Sequence, residues 1–392
     1  MKTDIASGLI MFVMVLALGS LVSGTLSKSD KTKNKKRDSQ KVVLSVVDRG
    51  LVTAEVKRKH ILEEHSRFSP LIQDVKNFKG PVLGYVTPWN NHGYDVAKMF
   101  AHKFTLISPV WLQLKKKPNG VFVIEGSHDI DKGWINEVQS GKNVSIVPRV
   151  LFDGWGLADF SALFSSEDAI EDCIDTLVNF LKGKKFDGAT IEIWPQVGGN
   201  MRSELTHFLL HLGEALHKQK KILVLVIPPP VRSGTEGIFG RQDFENLRSA
   251  VDYFSLMTYD YSSRRMPGPN SPIQWVQECV EILSPTWDPE ERKKILAGLN
   301  FYGTYYIVGS KVEPILGSQY VDLLQKQKVN IAWDPANAEH VTEFGSTAQG
   351  QHVIYYPSLY SIQQRLELAS KFGIGISIWE LGQGLDYFYD LF

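Results

Sequence analysis

Cysteine is nearly missing from this sequence: Cys173 and Cys279 are the only two in 392 residues. That excludes a disulfide-framed domain. Two buried thiols are expected instead, on separate helices after the third and sixth strands. A charge excess is missing too. Lys+Arg and Asp+Glu each number 43, so no general field draws the chain to nucleic acid or to an acidic membrane. No phosphate-cradling glycine loop and no zinc-ligand spacing occurs, so no cofactor and no metal is implied. Beyond the amino-terminal segment no apolar run approaches the length of a membrane span.

What remains is an ordinary globular composition, 43% hydrophobic and 22% charged. The length suits one large barrel with an appended lobe, or two modest domains. Aromatics reach 11% and include nine tryptophans, which suggests stacking surfaces as well as core.

The amino terminus reads as a targeting signal over residues 1–24. Lys2 precedes an apolar run from Leu9 to Leu18, and Val22 and Gly24 suit a signal-peptidase site before Thr25. Secretion or a lysosomal destination follows, with no membrane span after cleavage. Entry to that route makes Asn143-Val144-Ser145 a candidate glycosylation acceptor, at Asn143, in the loop before an apolar strand. Residues 25–79 divide into a basic arm and a lead-in. The arm, with Lys28, Lys31, Lys33, Lys35, Lys36 and Arg37, reads as solvated and disordered. Leu62 to Leu71 is expected to be a helix leading into the fold.

From residue 80 onward short apolar runs alternate with amphipathic stretches, the rhythm of an α/β fold with a parallel sheet. The runs are Val82–Thr87, Thr105–Leu112, Val144–Phe152, Ala189–Trp194, Leu223–Ile227, Tyr253–Thr258, Ile295–Phe301 and Ile374–Trp379. Eight such runs fit a (β/α)8 TIM barrel over residues 80–392, although a doubly wound sheet carries the same rhythm. The stretch from 304 to 357 is too long for a barrel loop and predicts a small α+β insertion between strands seven and eight. Ser361 with Gln364 has capping-box spacing, and Gly373 stops the helix that follows.

Several segments, in order, resemble glycoside hydrolase family 18, the chitinase family. Leu83-Gly84-Tyr85-Val86-Thr87-Pro88-Trp89 is similar to its opening G-Y-x-x-x-W. Phe186-Asp187-Gly188-Ala189-Thr190-Ile191-Glu192-Ile193-Trp194 is similar to its F-D-G lead and D-x-x-D-x-D-x-E motif. Met257-Thr258-Tyr259-Asp260 matches its M-T-Y-D. Gly298-Leu299-Asn300-Phe301-Tyr302-Gly303 matches G-L-P-F-Y-G with Asn for Pro. Ser377-Ile378-Trp379-Glu380 ends the last strand where that family places a floor tryptophan. The compact insertion is closer to the family's bacterial spore-wall hydrolases than to its digestive chitinases. The resemblance also implies oligosaccharides as ligands and an endocytic receptor of the stabilin type as a partner.

The family's acid motif is altered here. The resemblance aligns Asp187 with its first Asp, Thr190 and Glu192 with the next two, and Trp194 with the glutamate that protonates the leaving oxygen. An indole N–H has no acid–base use. Strand alternation puts Thr190, Glu192 and Trp194 on one inward face, with Glu192 about 6–7 Å below the open end. Losing a general acid costs about 10²–10⁴-fold, so the expectation is sugar binding without efficient hydrolysis. The implied binding residues are Trp89, Trp111, Glu192, Trp194, Tyr259, Asp260, Tyr302 and Trp379. With Trp155, five tryptophans are expected at strand ends, where the alternative is that they pack the mouth. Glu192 is expected to be a buried carboxyl held by Tyr259 or a neighbouring amide. Glu380 either lines the pocket or pairs with a helix, and Asp187 braces the turn before strand four. His207 and His211 share a helix face, but no acidic third ligand is evident, so a solvated or packed face is the expectation there.

Overall fold

A computed structural model describes residues 42–197, 199–262, 267–346 and 350–392. The signal segment and the basic arm lie outside the described residues. Eight parallel strands form the body: β1 (Val82–Val86), β2 (Leu106–Pro109, resuming as Leu112–Lys116), β3 (Ser145–Ile146 and Arg149–Phe152), β4 (Gly188–Glu192), β5 (Ile222–Ile227), β6 (Tyr253–Leu256), β7 (Ile295–Asn300) and β8 (Gly375–Trp379). Each pairs with the next, and β8 returns to β1 through Val82 and Ile376. β2 meets β3 on both sides of its kink, Leu106 against Ser145 and Leu112 against Val150. The sheet therefore closes on itself. Pro148 interrupts β3 because it has no N–H for the ladder.

Two apolar layers result. Leu83, Tyr85, Leu106, Val110, Val147, Val224, Leu296, Tyr302 and Trp379 fill the barrel interior. Alternate residues such as Val82, Ile107, Val150 and Ile191 face outward and bury the helices. Each interior Leu or Val contributes about 1.5–3 kcal/mol by leaving water. Cys173 and Cys279 are buried and unbridged in the helices Glu167–Lys184 and Ile273–Leu283, and burial pushes both thiols up to about 12.

The insertion is a five-stranded antiparallel sheet with the helix Gly317–Lys326 against it, as the sequence predicts. Two details differ from expectation, and one adds to it. The lead-in helix is Arg58–Glu64, earlier than expected, because Phe68 leaves the helix to pack fully buried on Phe100. The segment from residue 42 is tied to the barrel, since Asp390 accepts hydrogen bonds from the Val46 and Ser69 amides. The last helix, Leu359–Phe372, begins one turn before its expected cap. Ser358 and Ser361 cap each other, and Gly373 ends the helix at φ 67°. No helix among the described residues is long and apolar enough to cross a membrane.

Candidate functional site

The carboxyl end of the barrel is floored by aromatic side chains. Trp379, at the end of β8, lies 5.1 Å from the Tyr85 ring and is 6% exposed. The Tyr85 hydroxyl donates to Ser255 Oγ at 2.9 Å, tying β1 across the interior to β6. Tyr259 follows β6 and meets the Tyr302 ring edge-on at 6.4 Å. Gly298 makes room for Tyr259: an added Cβ there would lie 2.8 Å from the phenol ring. Burial pushes the Tyr85, Tyr259 and Tyr302 phenols well above their ordinary range. They are neutral hydroxyls at physiological pH.

Asp260 stands beside them in a left-handed conformation, φ 58°, unusual for a non-glycine residue. Its amide donates to Asn270 Oδ1 at 2.8 Å, and the Arg232 guanidinium holds its carbonyl. Its carboxylate accepts the Tyr302 hydroxyl at 2.5 Å. The strained turn is thus fastened from two directions, and the carboxylate is oriented by a third contact.

Glu192 points into the barrel and is 2% exposed. Arg149 from β3 binds it, Nε to Oε2 at 2.5 Å. Tyr259 is not its hydrogen-bond partner, so the expectation of a Tyr259 or amide contact is corrected. The physical reason is charge: a buried carboxylate is best compensated by a guanidinium. Arg149 Nη2, Thr87 Oγ1 and Ser108 Oγ are buried without a hydrogen-bond partner. All three belong to neighbouring strands or their ends, β1 to β3.

Trp194 departs from the expected inward face. β4 ends at Glu192, and a helical turn, Trp194–Val197, begins where a strand was predicted. Pro195 cannot donate to a ladder but fits a first helical turn. The indole swings outward, fully buried, onto Phe239 at 4.8 Å, and Nε1 donates to the Ile238 carbonyl at 2.9 Å.

Residues 81–384 match the profile of Glycosyl hydrolases family 18. The chain belongs to glycoside hydrolase family 18. Solved structures agree on the fold. A chitinase from Chromobacterium violaceum superposes with a TM-score of 0.67 at 20% identity, covering 80% of this chain and 98% of that one. The Bacillus cereus spore cortex-lytic enzyme SleL gives 0.66 at 18%, covering 80% and 73%. The Ostrinia furnacalis Group IV chitinase gives 0.63 at 14%, covering 80% and 98%.

With the family motifs located on the barrel, the remaining expected residues can be placed. Tyr259, Asp260, Tyr302 and Trp379 come together at the carboxyl end. Trp89, on the loop after β1, is 47% exposed. Trp111 does not join them. The β2 kink leaves it facing the helical layer, fully buried, with Nε1 donating to the Tyr94 hydroxyl at 2.6 Å and the ring 5.7 Å from Trp134. Trp155 is partly buried and donates to the Leu114 carbonyl at 3.0 Å. The predicted set of five mouth tryptophans is therefore reduced, with Trp111 and Trp194 belonging to the outer packing.

Asp187 braces the entry to β4 as predicted: Oδ2 accepts from the Ile146 amide at 2.7 Å and from Gln139 at 3.0 Å. Gly188 of the F-D-G lead is required by crowding, because a Cβ there would meet the Ile222 carbonyl at 2.1 Å. Glu380 does not line the pocket. It turns outward beneath Asn90 and the Gly382 amide, with a 2.5 Å hydrogen bond from Asn90. Burial raises its carboxyl to about 7.

Sequence reasoning missed Arg149, Arg232 and Asn270. Arg149 alone left a trace, a single charge inside the apolar run Val144–Phe152. The other two act through backbone carbonyls and amides, which no spacing announces.

Proposed function

We propose that this chain is a secreted or lysosomal chitinase-like lectin that binds N-acetylglucosamine-containing oligosaccharides without hydrolysing them. The reading rests on the end of β4. Where the family resemblance expects the proton donor, Trp194 stands, and its N–H is spent on the Ile238 carbonyl. The nearest carboxyl in that motif, Glu192, is locked to Arg149. Its carboxyl is engaged by that guanidinium inside the barrel, and the residue is 2% exposed. The neighbouring solved structures carry the names of chitinases and lytic enzymes, so the argument depends on this chain's own residues.

The retained groups support binding. Tyr259 and the Asp260–Tyr302 pair supply hydroxyl and carboxylate contacts suited to an N-acetyl group. Trp379 offers a ring face, and aromatic faces pack on the apolar C–H face of pyranoses at small entropic cost. Trp89 extends this surface along the rim. The test is a calorimetric titration of the purified protein with chitotetraose, alongside a product assay on the same sugar. Binding without products is expected. No heat or fluorescence change at millimolar sugar, or brisk cleavage, overturns the reading.

A weak hydrolase acting on bacterial-wall-type glycans is the second reading. Asp260 favours it, as a carboxyl oriented by the Tyr302 hydroxyl at the barrel end. Product formation abolished by Asp260→Asn, with folding intact, would establish it in place of the lectin.

At a finer level, Trp379-Glu380-Leu381-Gly382-Gln383-Gly384-Leu385-Asp386-Tyr387-Phe388-Tyr389-Asp390 resembles the carboxyl end of chitinase domain-containing protein 1, the stabilin-interacting chitinase-like protein. That likeness motivates a receptor of the stabilin type as a trafficking partner. A pull-down with the receptor tail and ectodomain tests it, and retention by neither removes it. Asn143 is exposed in the loop before β3, open to glycan attachment on the secretory route.

A further inference from the structure

Two helices on the outer wall of the barrel bring together a group that the sequence leaves incomplete. His207 and His211 lie one turn apart on the helix Arg202–Lys218, with ring centroids 4.3 Å apart. The missing acidic neighbour is Glu167, the first residue of the helix Glu167–Lys184. Its Oε1 and Oε2 lie 3.0 and 3.2 Å from His207 Nε2. One ligand atom from each of the three residues falls within 4.8 Å of the others.

We propose that Glu167, His207 and His211 form a site for a divalent transition metal of the zinc class. Ligand atoms around a tetrahedral ion with bonds of about 2.0–2.1 Å stand about 3.3 Å apart. The group needs side-chain rotation only, since its three backbones are already fixed. Leu205, Phe208, Leu209 and Leu212 bury one helix, Ile170, Ile174 and Leu177 the other. Ser166 Oγ accepts the Ala169 amide at 3.2 Å and sets the turn that carries Glu167.

A simple ion pair between protonated His207 and Glu167 accounts for one imidazole but not for the second beside it. Two imidazoles side by side, one turn apart on a fixed helix, offer ring nitrogens that a single ion can share. Two imidazoles and one carboxylate select zinc, nickel or copper over calcium and magnesium, which want oxygen donors. Three protein ligands leave a fourth position for water or for a group from another molecule. The side chains of His207 and Glu167 are 44% and 66% exposed, so an ion has a path in. The site does not depend on the sugar-binding reading.

The experiment titrates zinc chloride into the full-length protein by calorimetry, with millimolar calcium as competitor. One equivalent should bind, undisturbed by calcium. His207→Ala and His211→Ala should each weaken it about tenfold or more, and Glu167→Gln should weaken it as well. Circular dichroism of these surface variants should match wild type. Imidazole nitrogen resonances of His207 and His211 should move on zinc addition in the unmodified protein. Failure to bind zinc, binding unchanged in the double variant His207→Ala/His211→Ala, or imidazole resonances that stay put would each overturn the proposal.

Discussion

The Arg149 guanidinium and the Glu192 carboxylate meet inside the barrel, 2.5 Å apart, with 3% of each side chain exposed. Such a pair contributes little net stability, because desolvating both charges offsets their attraction. Breaking it is a different matter, since one partner stays buried and uncompensated. Arg149→Met should therefore cost about 3–5 kcal/mol, and adding Glu192→Leu should recover most of that loss. Chemical denaturation of the two single variants and the double variant closes the cycle. An Arg149→Met protein as stable as wild type would contradict it.

Trp194 gives a prediction that separates packing from ligand contact. Its ring meets Phe239 and its N–H meets the Ile238 carbonyl. Trp194→Phe should lose about 1–3 kcal/mol from the hydrogen bond and the missing volume. Sugar affinity should stay within twofold of wild type. Trp194→Glu should place an unpaired carboxyl in an apolar layer, destabilise the fold further and restore no hydrolysis. Hydrolysis gained by that variant would mean the side chain reaches the mouth after all.

The fate of Trp194 also marks how far the sequence could be read. Strand positions were legible because Val, Ile and Leu runs report burial on both faces, and seven of the eight expected runs fall within a residue or two of the observed strand segments. The eighth, Thr105–Leu112, runs across the kink of β2, and the β4 run, only two residues too long, put its last side chain on the wrong face. Alternation along β4 was extended past Glu192, although Pro195 ends the ladder there and hands the chain to a helical turn. Trp111 was misplaced for a related reason: the kink between the two segments of β2 is a tertiary feature, invisible to a pattern of period two. The motifs placed Tyr259, Asp260, Tyr302 and Trp379 together because each sits at or just beyond a strand end. The Arg149–Glu192 pair was not legible, as it joins residues 43 apart on neighbouring strands. Nor was Glu167 beside His207, 40 positions away.

The Tyr302 hydroxyl orients the Asp260 carboxylate at 2.5 Å. Tyr302→Phe keeps the ring and removes that contact together with the hydroxyl's hydrogen bond to the Asn270 side chain. Hydrogen bonds to charged groups contribute about 1.5–3 kcal/mol, so affinity for chito-oligosaccharides should fall about tenfold or more. Trp379→Ala should cost at least as much, through the lost stacking face. Calorimetric titration against a common sugar measures both. Undiminished affinity in both variants would move the ligand away from this end of the barrel.

Glu380 supplies a pH signature. Burial lifts its carboxyl from an ordinary 4.5 to about 7, against the opposing pull of the Gly382 amide, Asn90 and His92. An acid whose folded value is raised favours the native state fully below its unfolded value. That contribution is lost as pH rises through the folded value. Between pH 4.5 and about 7 the folded protein holds the proton more tightly than the unfolded chain, so wild-type stability falls as pH climbs, by about 3 kcal/mol across that window. Glu380→Gln cannot titrate. Its amide also accepts from only one of the two donors that the carboxyl satisfies, which should cost about 1–3 kcal/mol at every pH. His92, paired with Asp386 at 2.7 Å, stands near Glu380 in both proteins and largely cancels in their difference. The advantage of wild type over Glu380→Gln should therefore be greatest near pH 4.5 and shrink toward neutrality. Denaturant midpoints of both proteins from pH 4 to 8 decide this, and a gap that stays constant or widens with pH would show that the carboxyl is ionised throughout.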